Sequence, residues 1–267
     1  MVHDQFLRDI ADRLSAEPQI VALFLAGSYG STTADRHSDI DLVALVDQAH
    51  HARVARVWRS TMEDLRTVVS WNERRGGGVL LNAITDCWLR CDFYLTEPGN
   101  FVRRAQTTVK PLFDPNNIYS TLPMHLPPAT PDPERVAYLI KEFIRVLGLM
   151  TVVIGRSDYV TMAKGVELLR ELLKDLMLEE CPLPDRGGAL HLRRLLTPEQ
   201  MELLEALPYP APEPDELIAA NIAMAGAFLP VARRLAEQLA IAWPSAFAKA
   251  THRHLHDKLG VVIEDLR

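Results

Sequence analysis

Apolar positions along this chain follow two different periods, and the change-over between them divides it. Residues 4–16 place Phe6, Leu7, Ile10, Ala11 and Leu14 on one helical face. Continuous apolar runs over 19–26 and 39–46 read as buried strands. Between His50 and Thr67 the spacing of Val54, Val57, Trp58, Met62 and Leu65 is helical. Three further strands are expected at 68–73, 79–84 and 87–95, the first two separated by Arg74-Arg-Gly-Gly-Gly78, a turn whose glycines can take positive φ. A helical stretch over 98–106 and a short edge strand over 109–113 complete this half.

Then comes a seam. Five prolines fall within residues 122–133, a density that excludes a helix interior and a central strand, so the segment reads as a linker. Beyond it the period is helical throughout. Helices are expected over 133–154, over 158–180, from Thr197-Pro198 (an N-cap followed by proline at the first position), over 214–241 and over 245–259. Pro230 removes a backbone hydrogen bond from the fourth of these and predicts a kink or break. The expected fold is α+β: a mixed-sheet domain over about 1–122 followed by an all-α bundle over about 131–267.

Composition changes this picture little. The 267 residues suffice for two modest domains, with 48% hydrophobic and 24% charged residues, as in an ordinary soluble chain. A net charge of −6 disfavours sequence-blind binding to nucleic acid phosphates. Cys87, Cys91 and Cys181 form no C-x-x-C pair, which reads as reduced thiols in a cytoplasmic protein. The N-terminus lacks the basic-then-apolar layout of a signal peptide, and no apolar run reads as a membrane span.

The chemistry concentrates in residues 25–45. An apolar strand ends in Gly27-Ser28, where a missing side chain lets the backbone approach a phosphate and a small hydroxyl can help cradle it. After a ten-residue spacer, Asp39-Ile40-Asp41 opens the next strand. Two carboxylates two residues apart on a strand share a face, and like charges held together call for a hard cation with oxygen ligands, such as Mg²⁺. The best third acid is Asp92, flanked by apolar residues in Trp88-Leu-Arg-Cys-Asp-Phe-Tyr-Leu95. Three such acids can hold two Mg²⁺ ions about 4 Å apart, the arrangement that supports attack of a hydroxyl on a nucleotide α-phosphate with loss of pyrophosphate.

Gly27-Ser28, the spaced Asp39-Ile-Asp41 and the apolar-flanked Asp92 together resemble the nucleotidyltransferase superfamily that includes DNA polymerase β. Within it the chain is most similar to the lincosamide and aminoglycoside nucleotidyltransferases. Asn72-Glu73, the strand ending at Leu95 and Gly155-Arg-Ser-Asp-Tyr159 extend the likeness over most of the length. The resemblance implies transfer of a nucleoside monophosphate, AMP from ATP, to a hydroxyl of a small molecule such as an antibiotic. It implies Asp39, Asp41 and Asp92 as catalytic and metal-holding residues, Gly27, Ser28 and Ser38 at the nucleotide, and Mg²⁺ and ATP as the groups bound. One departure is that the third acid is Asp, where the resistance enzymes carry Glu.

Arg156 and Lys164 have two readings. They open a helix capped by Ser157 or Asp158, or they reach across a cleft between the domains to the triphosphate. Ser38 likewise braces its turn or meets the nucleotide. His252, His254 and His256 read as a solvated helix face in preference to a zinc site, and Cys87 and Cys91 as small core residues. The apolar helix over 214–241 offers a surface for a homodimer. Two other functions remain open: transfer to a protein or tRNA end, which the negative charge disfavours, and a catalytically silent nucleotide-binding module, which the presence of all three acids disfavours.

Overall fold

The computed structural model describes residues 4–184 and 192–267, in two compact units divided between Pro127 and Pro128. The first unit is built on a mixed sheet of order β3-β4-β5-β2-β1-β6. Its strands are β1 (Ala22–Leu25), β2 (Ile40–Leu45), β3 (Val68–Arg75), β4 (Val79–Thr85), β5 (Arg90–Thr96) and β6 (Lys110–Phe113). The β2–β5 pair is parallel and the other pairs are antiparallel. β6 lies on the edge, as its Pro111 requires, because proline cannot donate to a ladder on both sides.

The two faces of this sheet differ. Helices α1 (Asp4–Ser15) and α3 (His51–Leu65) belong to one face. Their Phe6, Ile10, Leu14, Val54, Trp58 and Met62 share a core with Leu23, Leu42, Ala44, Leu81, Ala83 and Phe93. The Trp58 and Phe93 rings lie 4.6 Å apart, centroid to centroid. The helical spacing read from the sequence is therefore what the core uses. On the other face a second, smaller core gathers Ala22, Phe24, Val43 and Leu45 with Phe101, Val109 and Leu122, and Phe24 stacks on Phe101 at 4.5 Å. Next to it, the same face of β5, β4 and β3 carries Asp92, Asn82 and Asn72 in place of apolar side chains.

The second unit is helical where described. Its longer elements are α5 (Pro133–Gly148), α7 (Tyr159–Glu179), α9 (Pro198–Ala206), α10 (Pro214–Gln238) and α11 (Ser245–Leu259). Asp158 caps α7 by accepting from Thr161 N–H, and Thr197 forms a reciprocal capping box with Gln200. α10 packs along α7 and α5, with the Phe228 ring stacked on Phe143 at 3.8 Å.

Several expectations need correction. The stretch 133–154 is two helices: Leu149 N–H divides its bond between Arg145 and Val146 carbonyls, and α6 (Met150–Gly155) starts afresh. Gly148, a poor helix former, sits at the joint. α10 runs unbroken through Pro230, held by the burial of Met224, Phe228, Leu229 and Ala232. It is long and apolar enough to cross a membrane by length and composition, a property the sequence reading had missed, yet its apolar face packs into the helical core. Residues 98–106 form 3-10 turns (Pro98–Arg103 and Gln106–Thr108) instead of an α-helix.

The β3–β4 turn is also different in kind. Among the described glycines only Gly27 and Gly260 take positive φ, so Gly76, Gly77 and Gly78 do not serve that purpose. A Cβ on Gly78 would fall 2.5 Å from the Leu95 carbonyl, whereas one on Gly76 would meet nothing within 4 Å. Gly78→Ala is expected to destabilise the protein by about 1–3 kcal/mol through overpacking against backbone. Gly76→Ala should lie within about 0.5 kcal/mol of the parent. Denaturant titration of the two variants measures both; equal effects would contradict this assignment.

Candidate active site on the N-terminal sheet

The site begins where the chain leaves β1. Ala26 N–H donates to the Asp41 carbonyl at 2.9 Å, which ties the start of the loop to β2 at its central acid. Gly27 follows with φ of +54°. A Cβ there would lie 2.0 Å from Asp41 Oδ2, so the carboxylate rests directly over the Gly27 backbone. Both the positive φ and the close approach require glycine. Ser28 is 9% exposed, and its hydroxyl has no hydrogen-bond partner in the structure. An orphaned buried hydroxyl costs about 1–3 kcal/mol, a cost that a phosphate oxygen in that place would relieve.

The rest of the loop is internally bonded. Ser31 Oγ donates to the Gly27 carbonyl at 2.9 Å. Asp35 N–H donates to Ser38 Oγ at 2.9 Å, and the same hydroxyl donates to Asp35 Oδ1 at 3.1 Å. The His37 N–H and the Ser38 hydroxyl hold the Asp35 carboxyl below its ordinary range. The Ser38 hydroxyl is thus engaged in bracing its turn.

β2 then delivers the acids. Register places Asp41 opposite Asp92 on the parallel β5, Asn82 of β4 opposite Asp92, and Asn72 of β3 opposite Asn82. One polar row therefore crosses four strands and ends at Gly27. Asn82 Nδ2 donates to Asp92 Oδ1 at 2.8 Å. Asp39, just before β2, pairs with Arg90 at 3.3 Å. Burial pushes the Asp41 carboxyl up to about 6, with the charges of Asp39 and Asp92 adding to the effect and those of Arg104 and Arg90 opposing it. The three sequence-predicted acids are thus brought to one neighbourhood, with Gly27 and Ser28 beside them.

Residues 7–72 match the family model described as the nucleotidyltransferase domain. This stretch of the N-terminal unit is therefore similar to a nucleotidyltransferase domain. The matched stretch contains Gly27, Ser28, Asp39 and Asp41; Asp92 lies outside it and is joined to it by strand register. Among solved structures, an aminoglycoside 6-adenyltransferase from Bacillus subtilis is similar at 12% identity and a TM-score of 0.45, over 93% of this chain and 95% of that one. A nucleotidyltransferase-like protein from Exiguobacterium sibiricum is similar at 14% identity and a TM-score of 0.35, over 96% and 88%. A CCA-adding enzyme from Thermotoga maritima, complexed with tRNA, is similar at 13% identity and a TM-score of 0.33, over 97% of this chain and 60% of that one. No curated protein matches.

Three residues beside these acids escaped the sequence reading: Asn82, Arg90 and Arg104. Arg90 carried a signal, since it stands two residues before Asp92 on one strand and so shares its face. Asn82 carried none, because only the β4–β5 register sets it opposite Asp92. Arg156 and Lys164 belong to the other unit, where both are exposed and Asp158 caps the helix between them. The histidines His252 and His254 have separate partners, the Ile263 carbonyl and Thr151 Oγ1.

Among the described residues no group of three His, Cys, Asp or Glu side chains is gathered tightly enough to be a preformed metal cluster. Asp39 leans to Arg90 and Asp92 to Asn82. The donor set nonetheless fits a hard divalent cation: the donors are oxygens, and the Asp41 charge is penalised by burial and by two like charges, which a cation would offset.

The raised Asp41 carboxyl gives a prediction with a definite sign. Its folded value of about 6 stands above the ordinary range of an aspartate carboxyl. The native state therefore holds this proton more tightly, and the associated stability is present below about pH 4 and lost as pH rises through about 6. In buffer with a chelator, Asp41→Asn should melt higher than the parent at about pH 7.5, and the difference should shrink towards about pH 4. Thermal melts across that range check it; a variant less stable at the upper pH would contradict the electrostatic origin.

Proposed function

We propose that the chain is an adenylyltransferase that moves AMP from ATP to a hydroxyl of a small molecule and releases pyrophosphate. The observation that carries this reading is the strand register that sets Asp41 against Asp92 beside Gly27 and Ser28. In this reading the acceptor oxygen forms a bond to the α-phosphorus, the bond from that phosphorus to the β-phosphate bridge breaks, and pyrophosphate leaves with the electron pair. Asp92 takes the proton of the acceptor hydroxyl; Asn82 engages its Oδ1 and leaves the other oxygen for that task.

Asp39, Asp41 and Asp92 would hold Mg²⁺, which when bound supplies charge neutralisation of the triphosphate and acidifies the attacking hydroxyl. The Ser28 hydroxyl donates to a phosphate oxygen, which answers its lack of a partner. Gly27 lets the phosphate and the Asp41 carboxylate approach the same stretch of backbone. Arg90 and Arg104 supply positive charge at the acids. Arg156 and Lys164, exposed on the helical unit, are cations suited to anionic ligands. An antibiotic of the aminoglycoside or lincosamide type is the acceptor that the sequence resemblance favours.

Pyrophosphate release from Mg²⁺-ATP, screened over aminoglycosides, lincosamides and nucleosides, tests the reaction and names the acceptor. The Asp39→Asn, Asp41→Asn double variant should lose at least about a hundredfold of that release. Mg²⁺-ATP binding by calorimetry should weaken in parallel. Unchanged binding and turnover in the double variant would sink the proposal. Ser28→Ala provides an independent check: it should leave thermal stability equal or higher, since a buried orphan is removed, while weakening ATP binding several-fold. A destabilised variant with parental ATP affinity would show that the hydroxyl serves the fold alone.

A further inference from the structure

We propose that Asn82 is a positioning residue that sets the orientation of Asp92 for cation binding. The inference rests on the functional reading above. Asn82 Nδ2 lies 2.8 Å from Asp92 Oδ1, and an ionised carboxylate only accepts hydrogen bonds, so the amide must present its NH₂ to Asp92. Its carbonyl oxygen then faces the other way, where Asn72 Nδ2 lies at 3.4 Å and Arg74 Nη2 at 3.5 Å. Both are donors. The row therefore has one sense: donors on β3, then the Asn82 amide, then the acid on β5. Each link is consistent with the next, although the two contacts from β3 are long and weak.

The placement of Asn82 is unusual for its strand. Along β4 the residues on the same face are Leu80 and Ile84, both apolar, and only the position opposite Asp92 is an amide. A sheet whose concern was stability alone would continue the apolar pattern, since cross-strand apolar pairs serve half-buried positions well. The other neighbour of Asp92 is Asp41, a like charge directly across the parallel pair. Unrestrained, the Asp92 side chain would rotate away from that charge. The Asn82 amide holds one of its oxygens on the β4 side and so fixes the plane of the carboxylate next to Asp41. Partners one step behind metal-binding carboxylates act in this way, and their removal costs about 10–100-fold in metal affinity.

Mn²⁺, which substitutes for Mg²⁺ and is countable by electron paramagnetic resonance, is the probe. In the full chain, Asn82→Ala is expected to weaken Mn²⁺ binding about tenfold or more with little change in thermal midpoint. Asn82→Val, which places a strand-favouring β-branched side chain there but cannot donate, should do the same and remains informative if the alanine variant folds poorly. Asn72→Ala, which removes only the 3.4 Å contact, should have a smaller effect in the same direction. Parental Mn²⁺ affinity in both Asn82 variants overturns the inference, as does a fall in thermal midpoint without a fall in affinity. The Asp39→Asn, Asp41→Asn double variant separates the two levels. If it abolishes Mn²⁺ binding while the Asn82 variants do not weaken it, the positioning role fails and the functional reading stands; if it binds Mn²⁺ like the parent, both fall.

Discussion

Carboxylates crowded onto one end of a parallel strand pair are the constraint on which the rest of this unit turns. Asp41 and Asp92 face each other across β2 and β5, and Asp39 stands two residues from Asp41. Partial burial penalises the Asp41 charge, and the neighbouring charges of Asp39 and Asp92 add to that penalty. The fold meets this cost locally. Arg90 pairs with Asp39, Arg104 adds positive charge, and Asn82 donates to Asp92. Such a concentration of negative charge suits a hard cation with oxygen ligands, and perturbed electrostatics of this kind cluster at functional positions.

The sheet makes that concentration sustainable by dividing its two faces. α1 and α3 contribute to one apolar core, and the segment from Phe101 to Leu122 contributes to another on the opposite face over β1 and β2. Apolar burial on these two sides supplies the stability from which the polar row can draw. Gly27 then allows the loop after β1 to pass under the Asp41 carboxylate, where any side chain would collide. The buried Ser28 hydroxyl adds a second local cost beside the first. Both costs fall at one place, and ligands of opposite character, cations for the acids and phosphate for the hydroxyl, would relieve both.

Much of this was legible along the chain. The strands and α1, α3 and α7 fall close to where apolar periodicity put them, because those residues form the cores and core-forming faces must repeat with the element's period. Gly27, Asp39 and Asp41 were legible because their spacing is local. Positions failed to read where something other than apolar period decides them. The 133–154 stretch has a continuous helical period, yet its hydrogen bonding restarts at Leu149. The triple glycine looked like a turn device for positive φ, whereas at Gly78 the requirement is proximity to the Leu95 carbonyl on another strand.

The sequence by itself determined the period of each element, the acid pair on β2 and the glycine-serine step before it, since all of these depend on neighbours within a few residues. Tertiary structure alone decided that Asp92 stands opposite Asp41, that Asn82 backs Asp92, and that Arg90 and Arg104 balance the acids. Strand register is the physical reason. A shift of one residue between β4 and β5 would turn Asn82 away from Asp92 and towards the covered face, and nothing in the composition of either strand announces the register that holds. The acids of Asp39-Ile-Asp41 were visible as a pair and Asp92 as their candidate third; that Asn82 stands opposite Asp92 was decided by the pairing of strands, which sequence spacing does not record.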